Sequence, residues 1–300
     1  MFSRILFPTD FSAYADSVLA CLPDLKSAGL REVIPLSVIR SSDVPLPETV
    51  NRESLEYWRW SLGEKLNVAK MALEGKGLRA LTRIGYGNPA EQIVSVAEDE
   101  RVETIVMGAQ GATAAQELLI GSTAYEVIRR ATIPVLLQKF EVIRELGHVK
   151  CRQVCERIFQ CVLHPTDFSD CADAAFRVVK RLKAAGAQEG ILLHVQDERL
   201  MKQRSPEQLA EFDRLDTERL ETLCKTLRLF GLPARGVLRH GTPFKETLAL
   251  ADETNASLIV MGSHGRSAVR EMLAGSTFEN VARLSHQPVL VVRRETRLSA

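Results

Sequence analysis

Two short stretches of this 300-residue chain carry residue types whose spacing could hold an anion. One reads Gly262-Ser-His-Gly265, followed by nine residues and then Gly275-Ser276. The other reads Gly108-Ala-Gln-Gly111, again followed by nine residues and then Gly121-Ser122, so both parts repeat at an offset of 154 residues. In each copy an apolar run, Leu258 to Met261 or Thr104 to Met107, ends in glycine, as a buried parallel strand does where its loop turns sharply. A second glycine lets main chain approach a ligand without a Cβ. The Gly-Ser pair then precedes a helical pattern, Ser122 to Ala131 or Ser276 to Ser285, whose unpaired N–H groups and dipole favour an anion such as phosphate. A single G-x-x-G is ordinary turn punctuation. The full pattern occurring twice at one offset predicts two sites.

The elements that must position these loops also repeat. The first half opens with a short strand, Arg4 to Pro8, then Thr9, Asp10 and Ser12, and a helical pattern from Ala13 to about Ala28 closed by Gly29. Asp10 reads either as a helix cap or as a carboxylate held for a ligand at a strand's carboxyl end. A strand at Val33 to Ile39, a long helix from about Arg52 to Glu74 and a strand at Leu78 to Ile84 follow. Trp58 and Trp60 in the long helix read as core or interface. Asn88, Pro89 and Glu91 carry the cap, first-position proline and capping-box residue of the next helix. The Gly108 strand, its loop, a helix from Ser122 and a strand from Ile133 to Leu137 complete the half. In the second half Val162 to Ser169 matches Ile5 to Ser12, Asp167 answers Asp10, and Gly241-Thr242-Pro243 answers Gly87-Asn88-Pro89. The aspartates stand 157 apart, so the second copy is three residues shorter between its motifs.

This alternation predicts an α/β chain of two tandem doubly wound, Rossmann-like parallel-sheet domains, each of about five strands with flanking helices. The expected divisions are residues 1–140, a helical connector at 141–157, and residues 158–300. Ligands of such sheets bind beyond the carboxyl ends of the strands where strand order reverses, here between the strands ending near Asp10 and Gly108.

Composition narrows the function classes. The 39 basic and 38 acidic side chains leave a net charge of +1, which provides no overall field for nucleic acid. Residues 1–11 are too short and too soon charged for a signal peptide, and no apolar run reaches transmembrane length. Six cysteines without an export signal point to the cytoplasm and free thiols. Cys151 and Cys155 stand one helical turn apart, near Cys161 and Cys171, and read as a metal or redox cluster or as buried thiols.

The Pro-Thr-Asp-Phe-Ser opening, the G-x-x-G with nine residues before Gly-Ser, and the terminal Pro-Val-Leu strand together resemble the universal stress protein family, in its tandem form. The resemblance covers nearly all of both halves. Its ATP-binding branch implies that Thr9 and Asp10, and Thr166 and Asp167, face the adenosine moiety, with Val38 and Val195 flanking adenine. It implies that Gly108, Gly111, Gly121, Ser122 and Thr123 hold ribose and phosphates in the first half. Gly262, Gly265, Gly275, Ser276 and Thr277 do so in the second. The implied cofactor is ATP with magnesium. The family also implies pseudo-two-fold pairing of the halves through Val135 to Leu137 and Val289 to Val291, which covers an apolar edge, and a further homodimer of tandem chains.

The halves are unequal. Arg266 follows the second loop and reads either as a phosphate partner or as a solvated surface charge, and the first loop has no counterpart. The expectation is two ATP sites, the second tighter. With no Walker lysine and no acidic motif tied to the loops, His264 is not assigned as a base, and no catalytic residue or metal ligand is named. Three readings follow: an ATP-binding stress-response regulator with an unknown protein partner, a weak ATPase or phosphotransferase, and an interaction scaffold with vestigial sites.

Overall fold

The computed structural model describes residues 1–40, 52–109, 120–145, 148–153, 157–201, 204–263 and 277–293. The chain divides into two compact units that meet between Gln153 and Val154. Among the described residues no helix is long and apolar enough to cross a membrane.

In the first unit, β1 (Arg4–Pro8) leads to α1 (Ala13–Cys21) and a 3-10 segment, Leu22–Ala28. The helix pattern was expected to run unbroken to Ala28. Pro23 has no N–H to donate inside a helix, and the chain tightens there instead. Gly29 closes the segment with φ 90°, a left-handed conformation that glycine takes without a Cβ clash. Next come β2 (Glu32–Ile39) and α2 (Arg52–Glu74).

The strand expected from Leu78 to Ile84 forms as two pieces, β3 (Arg79–Ala80) and β4 (Arg83–Tyr86). Both pair parallel with β2, through Val33↔Ala80 and Leu36↔Arg83. The break therefore falls opposite Ile34 and Pro35, where proline cannot contribute a ladder donor. Then follow α3 (Pro89–Asp99), β5 (Thr104–Gly108), α4 (Ser122–Arg130) and β6 (Val135–Gln138).

Strand order across this sheet is β3 and β4 beside β2, then β1, β5 and β6, all parallel. The chain leaves β1 toward β2 and returns to its other side at β5, so order reverses between β1 and β5. Ile5, Leu6, Ile105 and Val106 are fully buried there. A strand covered on both faces reads as a continuous apolar run, as these do.

Where a helical connector was expected, Phe140–Glu145 and His148–Gln153 are strands β7 and β8, paired antiparallel from Phe140↔Gln153 to Glu145↔His148. Val142, Ile143 and Val149 are β-branched, which favours the extended state, and a Leu-Gly dipeptide separates the two runs in the sequence.

The second unit runs β9 (Cys161–Pro165), α5 (Asp170–Leu182), β10 (Glu189–Asp197), the short α6 (Glu198–Met201), α7 (Pro206–Leu229), β11 (Ala234–Gly241), α8 (Pro243–Glu253), β12 (Leu258–Gly262), α9 (Thr277–Leu284) and β13 (Val289–Val292). Its order is β11-β10-β9-β12-β13, all parallel, the same topology. Here β10 carries no proline, and β11 pairs with it without a break from Gly190↔Ala234 to Asp197↔Gly241. Both sheets are the expected mainly parallel, doubly wound α/β arrangement.

Two helix readings change. Asn88 caps α3, accepting from Ala90 N and Glu91 N, but the Glu91 carboxylate reaches Arg130 of α4 at 2.9 Å. Trp58 and Trp60 are 42% and 63% exposed on α2 beside Tyr57, so packing in this unit's core does not account for them.

Candidate functional site

At the carboxyl end of β1 the backbone N–H of Thr9 donates to Leu36 O at 2.8 Å, which extends the β1–β2 ladder by one residue. The next turn is built from side chains. Thr9 Oγ1 accepts from Phe11 N at 3.0 Å, and Asp10 Oδ1 accepts from Ser12 N at 3.0 Å and Ser12 Oγ at 2.6 Å. Ser12 is the N-cap, accepting from Ala15 N, so Asp10 braces the cap rather than forming it. Phe11 sits at φ 56°, a left-handed conformation that a bulky residue rarely adopts.

The second unit repeats the backbone bonds and the cap of this turn. Thr166 N donates to Leu193 O, Thr166 Oγ1 accepts from Phe168 N at 3.1 Å, Asp167 Oδ1 accepts from Ser169 N at 3.1 Å, Ser169 caps α5, and Phe168 has φ 58°.

Each turn opens on a cavity at the strand-order reversal. In the first unit Thr9, Asp10, Val38, Gly108, Gly121, Ser122 and Thr123 line one cavity of about 160 Å³, with Ser37, Arg40, Ile93 and Met107. Gly121 is the N-cap of α4 and supplies no side-chain acceptor, so the first N–H groups of that helix are not capped by it. The rim also carries negative charge. Burial first, and the Asp10 charge second, hold the Asp16 carboxyl above its usual range.

In the second unit Thr166, Asp167, Val195, Gly262 and Thr277 line one cavity of about 400 Å³. Gly111, Gly265, Arg266, Gly275 and Ser276, together with His264, lie outside the described residues, so their placement is not part of this geometry.

Gly262 has a second reason to be glycine. A Cβ there would come within 2.9 Å of the backbone carbonyl carbon and oxygen of Cys171, so α5 packs directly on the end of β12. Its type follows from helix-on-strand packing as much as from any ligand.

Several cavity residues escaped the sequence reading. His194 and Gln196 alternate on one face of β10, and Asp216 and Arg219 stand one turn apart on α7. His194 Nδ1 is 2.7 Å from Thr166 O, which can only accept, so Nδ1 carries the hydrogen. His194 Nε2 is 3.3 Å from Asp216 Oδ2. Gln196 Nε2 donates to Asp216 Oδ2 at 3.0 Å and Arg219 Nη1 to Asp216 Oδ1 at 3.3 Å. Gln196 is 1% exposed, and its Oε1 has no hydrogen-bond partner among the described residues.

At the end of β10, Asp197 accepts from Arg199 Nε at 2.9 Å, and this bond holds its carboxyl below the usual range. The matching positions of the first half are Ser37, Ile39, Leu62 and Lys65, so the linked His-Gln-Asp cluster belongs to the second cavity alone. A His-x-Gln pair, His194 and Gln196, closing the apolar run that begins at Ile191 was the signal available in sequence.

Both His194 ring nitrogens face protein oxygens, Thr166 O and Asp216 Oδ2. Among the described residues no group of three or more His, Cys, Asp and Glu side chains gathers to hold a metal ion. Cys21, Cys161, Cys171 and Cys224 are free thiols. Cys151 lies in β8, and Cys155 falls outside the described residues.

Comparison with known proteins agrees with the duplicated architecture. A model described as the universal stress protein family matches residues 1–139 and 159–293. A universal stress protein of Methanocaldococcus jannaschii is 35% identical over 157 residues, 46% of this chain and 97% of that protein. One from Mycobacterium tuberculosis is 25% identical over 287 residues, 87% of this chain and 88% of that protein. The crystal structure of a universal stress protein from Archaeoglobus fulgidus superposes with a TM-score of 0.76 at 27% identity, covering 98% of this chain and 99% of that one. With the family matched in both halves and the tandem fold matched along its length, the chain belongs to the universal stress protein family as a tandem two-domain member.

Proposed function

We propose that each half binds one ATP, carried with magnesium, and that occupancy rather than turnover is the regulatory output of this stress protein. The observation that carries the reading is convergence. All seven described residues expected at the first site line one cavity, all five described residues among those expected at the second line another, and both cavities open where strand order reverses. The residues present fit the ligand. Val38, Ile93 and Met107 in one cavity, and Val195, Met261 and Phe278 in the other, offer apolar walls for a base. Thr9, Thr166 and the start of α4 offer hydroxyl and N–H donors for ribose and phosphate. When bound, the nucleotide would supply the charge and shape that distinguish the loaded chain from the empty one.

The second site is the tighter one in this proposal. Its cavity of about 400 Å³ falls within the roughly 300–1,000 Å³ usual for ligand pockets, and the first, about 160 Å³, falls below it. Arg266 after the second loop points the same way. Hydrolysis is not part of the reading, because no side chain of either cavity is assigned as a base for an attacking water.

Calorimetric titration of the nucleotide-stripped chain with ATP and magnesium tests this. Two sites are expected in the wild type and one in Asp10→Ala and in Asp167→Ala, the tighter site being lost from Asp167→Ala. Folded protein that takes up no ATP refutes the reading. Steady phosphate release abolished by Asp167→Ala would replace it with a weak ATPase.

A further inference from the structure

The two strained aromatics beside the sites are held by the same device, built twice. Phe11 and Phe168 follow the aspartates and adopt φ 56° and 58°, where a bulky side chain is sterically disfavoured. Over each ring lies a cation from the long helix of its own half. Lys65 Nζ of α2 is 5.4 Å from the Phe11 centroid, and Arg219 Cζ of α7 is 5.5 Å from the Phe168 centroid. Lys65 and Arg219 are separated by the 154 residues that relate the two halves, and Phe11 and Phe168 by the 157 that relate the aspartates. The residue types differ while the charge and position persist, so what is common to the halves is a cation on an aromatic face.

We infer that Lys65 and Arg219 are positioning residues: each clamps the phenylalanine that keeps its aspartate turn in binding geometry and so ties a long helix to the occupancy of the adjacent cavity. The geometry explains how such a cation acts on the ligand through the turn: Lys65 does so from outside its cavity lining, whereas Arg219 also lines the second cavity. Phe11 N and Phe168 N donate to the threonine hydroxyls, and Ser12 N and Ser169 N to the aspartate carboxylates, so each ring's backbone belongs to the turn that orients Thr9 and Asp10 or Thr166 and Asp167.

In the second half the clamp closes into a ring of contacts. Phe168 packs on His194 at 4.6 Å between centroids, His194 faces Asp216, and Asp216 accepts from Arg219. In the first half Leu62 stands where Asp216 does, which makes Lys65 the simpler case. The inference rests on the nucleotide reading for its effect on affinity, and on the turn geometry alone for its effect on the loop.

The test uses the full chain with Lys65→Met, Lys65→Arg, Arg219→Met and Arg219→Lys. Hydrogen exchange of peptides spanning 8–13 and 165–170, measured without nucleotide, reads the turn, and ATP titration reads the site. Each methionine variant is expected to speed exchange two- to fivefold in its own turn only, and to weaken ATP at that site by the same factor. The cation exchanges should retain both values, a rescue that general destabilisation would not give.

Wild-type exchange in the methionine variants, or cation exchanges as damaging as methionine, overturns the inference. Faster exchange with ATP affinity unchanged overturns the link to the site. Faster exchange in a chain whose wild type takes up no ATP removes the nucleotide reading and leaves the clamp as the device that holds the turn.

Discussion

His164 gives the sheet of the second half an acid-sensitive point that the first half, with Phe7 at the matching position, does not repeat. It lies in β9 with no exposed surface, and its Nδ1 donates to Val260 O at 2.8 Å, leaving Nε2 a buried lone pair without a partner among the described residues. Burial pushes the imidazole down from 6.5 to about 4; the Val260 bond and the charges of Asp167 and Asp173 oppose this and do not overcome it.

The sign follows from the proton count. Below pH 6.5 the unfolded chain takes up a proton that the folded chain refuses until about pH 4, so stability is lost as pH falls through that window. The loss amounts to about 2 kcal/mol at pH 5 and about 3 kcal/mol near pH 4. Phe7 occupies the matching position of the first half, so His164→Phe removes the titration without changing the strand pattern.

Urea unfolding of wild type and variant at pH 7 and pH 5, followed by hydrogen exchange of β9 and β12 peptides so that the second half is read separately, measures the effect. The variant's stability relative to wild type should improve by about 2 kcal/mol between the two pH values, whatever the repacking costs at pH 7. Equal losses in the two proteins would refute the account of a neutral, desolvated His164.

Other consequences are as direct. Gly262→Ala forces a Cβ to 2.9 Å from Cys171 backbone, and should destabilise the second half by about 1–3 kcal/mol while leaving the first unchanged, seen as one shifted thermal transition. Ser205 and Gln208 form a capping box at the start of α7, and Ser205→Ala should cost about 1 kcal/mol by urea unfolding. The Cys21 thiol is pushed up to about 12 by burial, with Asp24 adding to it, so iodoacetamide at pH 8 should leave Cys21 unlabelled in the native chain and label it in urea, read by peptide mass spectrometry.

Sequence periodicity reached the doubly wound sheets because their strands are apolar runs bounded by glycine, proline and capping residues, a local signal. The same locality explains the misreadings. Pro23 and Pro35 each sit inside a pattern that continues past them, so α1 and the β3–β4 strand looked unbroken until the missing N–H was matched to its partner position. The β7–β8 hairpin carries charges between its apolar residues at spacings that also suit a helix, and only the pairing of Phe140 with Gln153 decides between them.

At the site, a repeated motif marks residues that recur in both halves, which is how Thr9, Asp10, Thr166 and Asp167, all cavity-lining, are singled out. It is silent about what differs. His194, Gln196 and Asp216 have Ser37, Ile39 and Leu62 as counterparts, so repetition hides them, and their meeting across β10 and α7 is a tertiary fact. The cations over Phe11 and Phe168 lie some fifty residues from their rings, beyond any local pattern.

The central claim is that both cavities hold ATP. The measurement that tests it most directly is mass spectrometry of the small molecules released when gently purified, full-length protein is denatured, with their amount per chain. The account predicts ATP, approaching two per chain when magnesium and ATP are added before desalting and nearer one without that addition, as the proposed tighter second site would retain its ligand longer. Protein that releases no nucleotide under either condition, while its fold is intact, would contradict it.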